Sequence, residues 1–196
     1  MNTKIQIRAA MKTMMAGLSA QQRHEKSLAA CELMAGSREF RMAAMVMLFL
    51  SMDGEVESAT LAVRAWQEGK SVVVPRVQWE TRRMEPVEIH SLDTAETAPG
   101  RGFREPVSGR VVPLGFIDMV IIPGLAFDRR GYRVGRGRGF YDRFLSQKDF
   151  RGVRAALCFH EQLLEEDLPS EAHDIPMDLI ITDRELLRIN GREGRT

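Results

Sequence analysis

Apolar positions along the chain fall into short unbroken runs separated by amphipathic stretches. Runs occur at residues 45–50 (MVMLFL), 71–74 (SVVV), 117–122 (IDMVII), 153–159 (VRAALCF) and 179–182 (LIIT). This is the pattern of strands buried on both faces of a sheet. Helix signals lie between them: Thr3 followed by Gln6, and Ser19 by Gln22, have capping-box spacing and predict helices from about residues 4 and 20, ended by Gly17 and Gly36. Ser58 is placed to cap a helix carrying Leu61, Ala62, Ala65 and Trp66 with Gly69 as its stop, and Pro75 is expected to end the 71–74 strand. Residues 84–90 read as a further strand, 94–110 as a loop rich in Pro, Gly and charge, 123–139 as a long turn, and 140–147 as a short helix. The alternation predicts an α/β protein with a parallel or mixed sheet and helices on both faces.

Length and composition narrow this reading. With 196 residues, and about 150 residues per domain as a guide, a single domain over residues 1–190 is expected, with 191–196 as a mobile tail. The chain is 44% hydrophobic and 28% charged, and its net charge of +1 supplies no bulk attraction to nucleic acid or an anionic membrane. Any anion must be caught locally. No apolar run approaches the roughly 20 residues that span a bilayer. The N-terminus lacks the apolar core of a secretory signal; it is basic and acid-free, as an organellar presequence is, but without the Ser enrichment. Cys31 and Cys158 have neither disulfide-framework nor metal spacing, so a reducing cytoplasm is the expected compartment. Met11, Met14, Met15 and Met45 read as core packing.

Three turns carry candidate chemistry. In GYRVGRGRGFYD, residues 131–142, Gly135, Gly137 and Gly139 alternate with Arg136 and Arg138 between a strand and a helix. Glycines let backbone N–H groups close around phosphate oxygens, a following helix N-terminus adds positive potential, and guanidiniums add forked hydrogen bonds. The turn is neither a Walker A loop nor G-x-G-x-x-G. Asp142 beside it would repel a phosphate unless a divalent cation lies between them; its alternative role is a helix-dipole partner. The second turn, residues 50–57, places Asp53, Glu55 and Glu57 after the first core strand, either as plain surface or as a carboxylate for an amide-bearing or cationic substrate. The third, residues 168–178, offers Asp174 and Asp178 as a second metal carboxylate or as solvated loop residues. His24, His90, His160 and His173 show no ligand spacing. RGRGFYDRF also has the Arg, Gly and aromatic mixture of single-strand RNA contacts, which the near-neutral charge disfavours.

With these residues in view, the chain resembles the 5-formyltetrahydrofolate cyclo-ligase family. The resemblance rests on PGLAFDRRGYRVGRGRGFYDRFL at residues 123–145, and on Lys4 with Arg8, FLSMDGEVES, VVPR, REP and HDIPMD in order along nearly the whole chain. It implies a three-layer α/β fold with a mostly parallel sheet flanked by helices, similar to sugar-phosphate isomerase and CoA-transferase domains. It also implies ATP- and Mg2+-dependent conversion of 5-formyltetrahydrofolate to 5,10-methenyltetrahydrofolate in a cytoplasmic monomer, with no nucleic-acid or membrane partner. A non-catalytic folate or nucleotide binder, or a ligase for a related substrate, is the alternative. The matching positions make Lys4, Arg8, Arg133, Val134, Gly135, Arg136, Gly137, Arg138, Gly139, Phe140 and Tyr141 ATP contacts. Leu50, Glu55 and the stretch from Arg136 to Phe140 face the folate, Asp142 and Asp174 bind magnesium with Asp178 as alternative, and Arg136, Arg138 and Asp142 are catalytic. Arg138 and Phe140 stand where the family commonly has Lys and Tyr, which keeps the charge and the ring. On this reading, Asp142→Ala lowers turnover without unfolding the protein.

Overall fold

The computed structural model describes residues 3–97 and 103–189, so the predicted tail at 191–196 lies outside the described residues. The capping boxes act as their spacing predicts. Thr3 starts α1 (Lys4–Ala16) and Ser19 starts α2 (Ala20–Gly36), each by reciprocal side-chain and backbone bonds. Two further helices follow, α3 (Arg38–Met42) and α4 (Ala59–Gln67). Ser58 precedes α4 without capping it, because its hydroxyl bonds the Phe49 carbonyl and Ser51 instead.

The apolar runs form the centre of one large sheet. Strands β1 (Met45–Met47), β2 (Ser71–Gln78) and β3 (Arg83–Ile89) make one half. After a small hairpin of β4 (Ala95–Thr97) and β5 (Arg104–Pro106), the chain adds β6 (Met119–Ile122). It then adds β7 (Ala126–Asp128), β8 (Arg133–Val134), α5 (Phe140–Leu145), β9 (Val153–Leu157), β10 (Leu163–Leu164), β11 (Leu179–Ile181) and β12 (Leu186–Arg188). The seven-stranded sheet runs β12-β11-β9-β6-β1-β2-β3, parallel through β11, β9, β6, β1 and β2 and antiparallel at both edges.

Period-two alternation sorts each strand between two cores. Val46, Val72, Ile121 and Leu157 face α2 and α4, meeting Ala30, Met34, Leu61 and Ala65. Met47, Val73, Val120, Ile122 and Ala156 face the other way, against Phe127, Phe144 and Leu163. That second face carries a helix too, as expected, though a short one. It is covered by the short α5 together with a three-stranded sheet, β10-β7-β8, and α1 lies outside this small sheet through Ile7 and Met11 on Ala126, Val134 and Leu168.

Other expectations change for identifiable reasons. β2 continues through Pro75, which pairs with Pro86 of β3. Neither residue has an N–H, so the pair fits a non-hydrogen-bonded position, and the Pro86 carbonyl turns outward to accept from Val112 at 2.9 Å. The 94–110 loop contains β4 and β5, and the 123–139 turn contains β7 and β8. The second difference has a local cause in fully buried Asp128, whose carboxylate accepts from the N–H groups of Arg130, Tyr132 and Leu168 at 2.9–3.1 Å and so folds polar sequence into an ordered hairpin. Met14 is exposed instead of packed in the core.

Phe127 is fully buried and joins the small sheet to the large one. Phe127→Ala is expected to cost about 3–5 kcal/mol by urea denaturation. A loss under about 1 kcal/mol would show that α1 alone holds the small sheet.

Candidate active site

A cleft of about 630 Å³ opens where β1, β2 and β6 end, lined by Lys4, Arg8, Leu50, Glu55, the 133–143 segment and Asp174. Ligands of open α/β sheets settle at such strand ends, where loops can diverge. Every site residue implied by the family resemblance lines this cleft, and the alternative metal carboxylate, Asp178, does not. Asp178 precedes β11, at the opposite end of the sheet, and pairs with Arg154 at 2.6 Å.

Helix α1 delivers two cations. Residues four apart share a helix face, so Ile7 and Met11 dock on the small sheet while Lys4 and Arg8 reach the cleft. The Arg8 Nε donates to the Gly135 carbonyl at 2.9 Å. Lys4 Nζ lies 2.7 Å from Asp174 Oδ2 and 2.9 Å from Glu171 Oε1. Burial works against the Lys4 charge, but the bonds to Asp174 and Glu171 outweigh it and lift its pKa; burial likewise opposes Asp174, which Lys4 and the Glu171 N–H hold below the usual carboxylate range.

Of the three acids after β1, only Glu55 enters the cleft. The Asp53 side chain is 97% exposed, and Glu57 pairs with His24 at 2.8 Å. Glu55 is turned inward because its Oε2 accepts the Met52 N–H at 3.0 Å, closing the turn, while its Oε1 accepts from Arg136 at 3.1 Å. Its side chain is 9% exposed. Burial pushes this carboxyl above its ordinary range, with the Met52 N–H and Arg136 pulling back.

In the glycine–arginine loop, Gly137 and Gly139 have positive φ (+91° and +64°), which a side chain would strain. Gly135 is different: its φ is ordinary and an added Cβ would meet nothing within 4 Å. No neighbour among the described residues demands a glycine there, and its bare backbone borders the cleft. The helix after the loop has six residues, so its dipole adds little positive potential to the cleft.

Asp142 Oδ1 accepts from Arg133 at 2.7 Å and from the Ile175 N–H at 3.2 Å, next to Asp174 in the chain. Arg133 also donates to the Ile175 carbonyl at 2.7 Å, and its side chain is 5% exposed. Burial lowers its pKa, and Asp142 is its neutralising partner. Arg133 thus fixes Asp142 in place. Among the described residues no three His, Cys, Asp or Glu side chains are grouped to cage an ion. Two acidic residues on one cleft do suit Mg2+, which keeps waters and takes substrate phosphate oxygens as further ligands.

The opposite wall is not evident from the sequence. Trp79 stands edge-on to Phe140 (5.3 Å), near Phe103 (5.9 Å), with the Arg138 guanidinium over its ring at 5.6 Å. An aromatic in the polar run QWETRR is the available signal, hidden when β2 is taken to end at Pro75. His173, which has no ligand spacing in the sequence, lines the cleft 3.9 Å from Glu171 and Asp174.

Comparison with known proteins gives a consistent result. The model of the 5-formyltetrahydrofolate cyclo-ligase family matches residues 1–183. A 5-formyltetrahydrofolate cyclo-ligase of Haemophilus influenzae is 31% identical over 189 residues, covering 92% of this chain and 100% of its own. One from Mus musculus is 29% identical over 185 residues, covering 89% and 91%. The structure of Aquifex aeolicus 5,10-methenyltetrahydrofolate synthetase superposes with a TM-score of 0.83 at 30% identity, covering 98% of this chain and 95% of that one.

The Arg133–Asp142 pair bears on the expectation that Asp142→Ala leaves the fold intact. Removing the carboxylate strands a buried guanidinium, so Asp142→Ala is expected to cost about 3–5 kcal/mol, and Asp142→Asn, which keeps an acceptor, clearly less. Denaturation of both variants checks this, and equal stabilities would refute it.

Proposed function

The chain belongs to the 5-formyltetrahydrofolate cyclo-ligase family, and from that premise we propose how its cleft performs the family's reaction. The protein is a ligase that converts 5-formyltetrahydrofolate to 5,10-methenyltetrahydrofolate, consuming ATP and releasing ADP and phosphate. The observation that carries the assignment of roles is that one cleft joins an inward carboxylate, Glu55, to a glycine–arginine loop and to Asp142 and Asp174.

The formyl oxygen attacks the γ-phosphorus and ADP leaves. Nitrogen 10 then adds to the activated formyl carbon, loses its proton, and phosphate departs with the former formyl oxygen. No protein nucleophile is required; the chemistry asks for alignment and for positive charge around the transferring group. Lys4, Arg8, Arg136 and Arg138 supply that charge, and the backbone at Gly135 admits a phosphate closely. Asp142 and Asp174 would hold Mg2+ brought by the nucleotide, which draws charge off the phosphoryl oxygens.

Within the cleft the proposed substrate-binding groups are paired with each other. Arg136 sits on Glu55 with two donors, Nε at 3.3 Å and a terminal nitrogen at 3.1 Å. The pterin 2-amino and N3–H groups form a similar fork of donors, so folate replaces Arg136 on Glu55 and releases it towards the phosphates. When Lys4 turns to a phosphate, Asp174 is freed in the same way. Both cysteines are free and buried, in keeping with a reducing compartment.

Formation of methenyltetrahydrofolate, followed by absorbance, is expected only with ATP and Mg2+ both present; turnover without either would overturn these roles. Arg138→Ala, at an exposed position, is expected to keep the fold and lose about 100-fold in turnover. A pH dependence follows from Glu55. Its pKa is raised in the free protein, and the pterin needs the ionised form, so folate affinity without ATP is expected to fall as pH drops through that raised value. Titrations across pH should show this acid limb in the native protein and its disappearance in a weaker-binding Glu55→Gln; an unchanged limb would place the titrating group elsewhere.

A further inference from the structure

The side chain of Arg143 ties together two separate segments that border the cleft. It leaves α5 and turns back over the loop that precedes the helix, where one terminal nitrogen donates to the Arg138 carbonyl at 2.6 Å. Its Nε donates to the Arg82 carbonyl at 3.0 Å, from a residue 61 positions away in sequence. The same guanidinium lies over the Phe140 ring at 5.5 Å.

Both carbonyls belong to backbone that little else holds still. Arg138 lies between Gly137 and Gly139, each at positive φ, in a stretch whose three glycines widen the backbone freedom. Arg82 itself has φ +54° and forms the turn between β2 and β3, the hairpin that carries Trp79 over the cleft. Trp79 and Arg138 then meet across the gap, ring to guanidinium. A planar fork with donors on two edges can bond two carbonyls at once, which a lysine ammonium on a single stem does poorly. No acidic side chain is paired with Arg143 among the described residues, so its bonds serve backbone position instead of neutralisation.

We infer that Arg143 is a positioning residue: by tying the Arg82 carbonyl of the β2–β3 turn to the Arg138 carbonyl of the glycine–arginine loop, it holds the Trp79 wall closed and aims Arg138 into the cleft. The inference rests on the folate reading of the cleft and adds a residue that contacts no reacting atom. It accounts for an arginine at the cleft mouth whose donors face protein backbone.

Arg143→Met and Arg143→Lys test it with two readouts. Amide hydrogen exchange without substrate is expected to speed up at least tenfold at residues 80–83 and 137–140 in Arg143→Met, with amides of β6 and β9 unchanged. The KM for 5-formyltetrahydrofolate is expected to rise about tenfold in the same variant, with the urea midpoint preserved and Arg143→Lys intermediate in both readouts. Wild-type exchange at both segments overturns the inference, as does a wild-type KM, and so does acceleration spread over the whole sheet. Should Arg143→Met fail to fold, Arg143→Lys decides by the same criteria. If native protein does not turn over the folate, the functional reading fails, while the exchange data still judge the brace.

Discussion

A sheet buried on both faces leaves its strand ends as the place where polar chemistry can gather, and the rest of this molecule follows from that constraint. β1, β6 and β9 carry apolar side chains into both cores. Their carboxyl ends are the first points where the chain can turn, expose N–H groups and place charges without stranding them in hydrocarbon. Glu55, the glycine–arginine loop and the turn after β6 collect there. The small sheet and α1 complete the arrangement by bringing Lys4 and Arg8 to the same edge.

Charge pairing governs the cleft once it exists. Lys4 with Asp174, Arg133 with Asp142 and Arg136 with Glu55 place a cation beside each of these acids at 2.7–3.1 Å. The pairs differ in what they do. Arg133 is almost fully buried at the cleft wall, so its bond to Asp142 is largely architectural. Nearly half of the Arg136 side chain is in water, so its hold on Glu55 is weak, which is what the proposed exchange for folate requires. Burial of the acid and exposure of the base favour such an exchange: Glu55 needs donors, and Arg136 loses little by leaving.

Much of the fold was legible because its signals are local. Capping boxes at Thr3 and Ser19, and the apolar runs behind β1, β6, β9 and β11, need only neighbouring residues to be read. The errors came where a distant partner decided the outcome. Pro75 continues a strand because Pro86 faces it, β7 and β8 form because Asp128 bonds backbone from as far as Leu168, and Met14 falls outside the core because the buried face of α1 is Ile7, Met11 and Met15.

For the site the division is similar. The sequence by itself determined the residue types that can grip phosphate and amide groups, since spacing in GRGRGFYD and the lone acids of two turns are properties of the chain. Only the tertiary structure decided which acids reach the cleft: Glu55 and not Asp53, Asp174 and not Asp178. It also supplied Trp79, His173 and Arg143, whose roles lie entirely in what faces them. The physical reason is range: backbone propensity and capping act over three or four residues, whereas burial and charge pairing depend on which ends of which strands are brought to one edge.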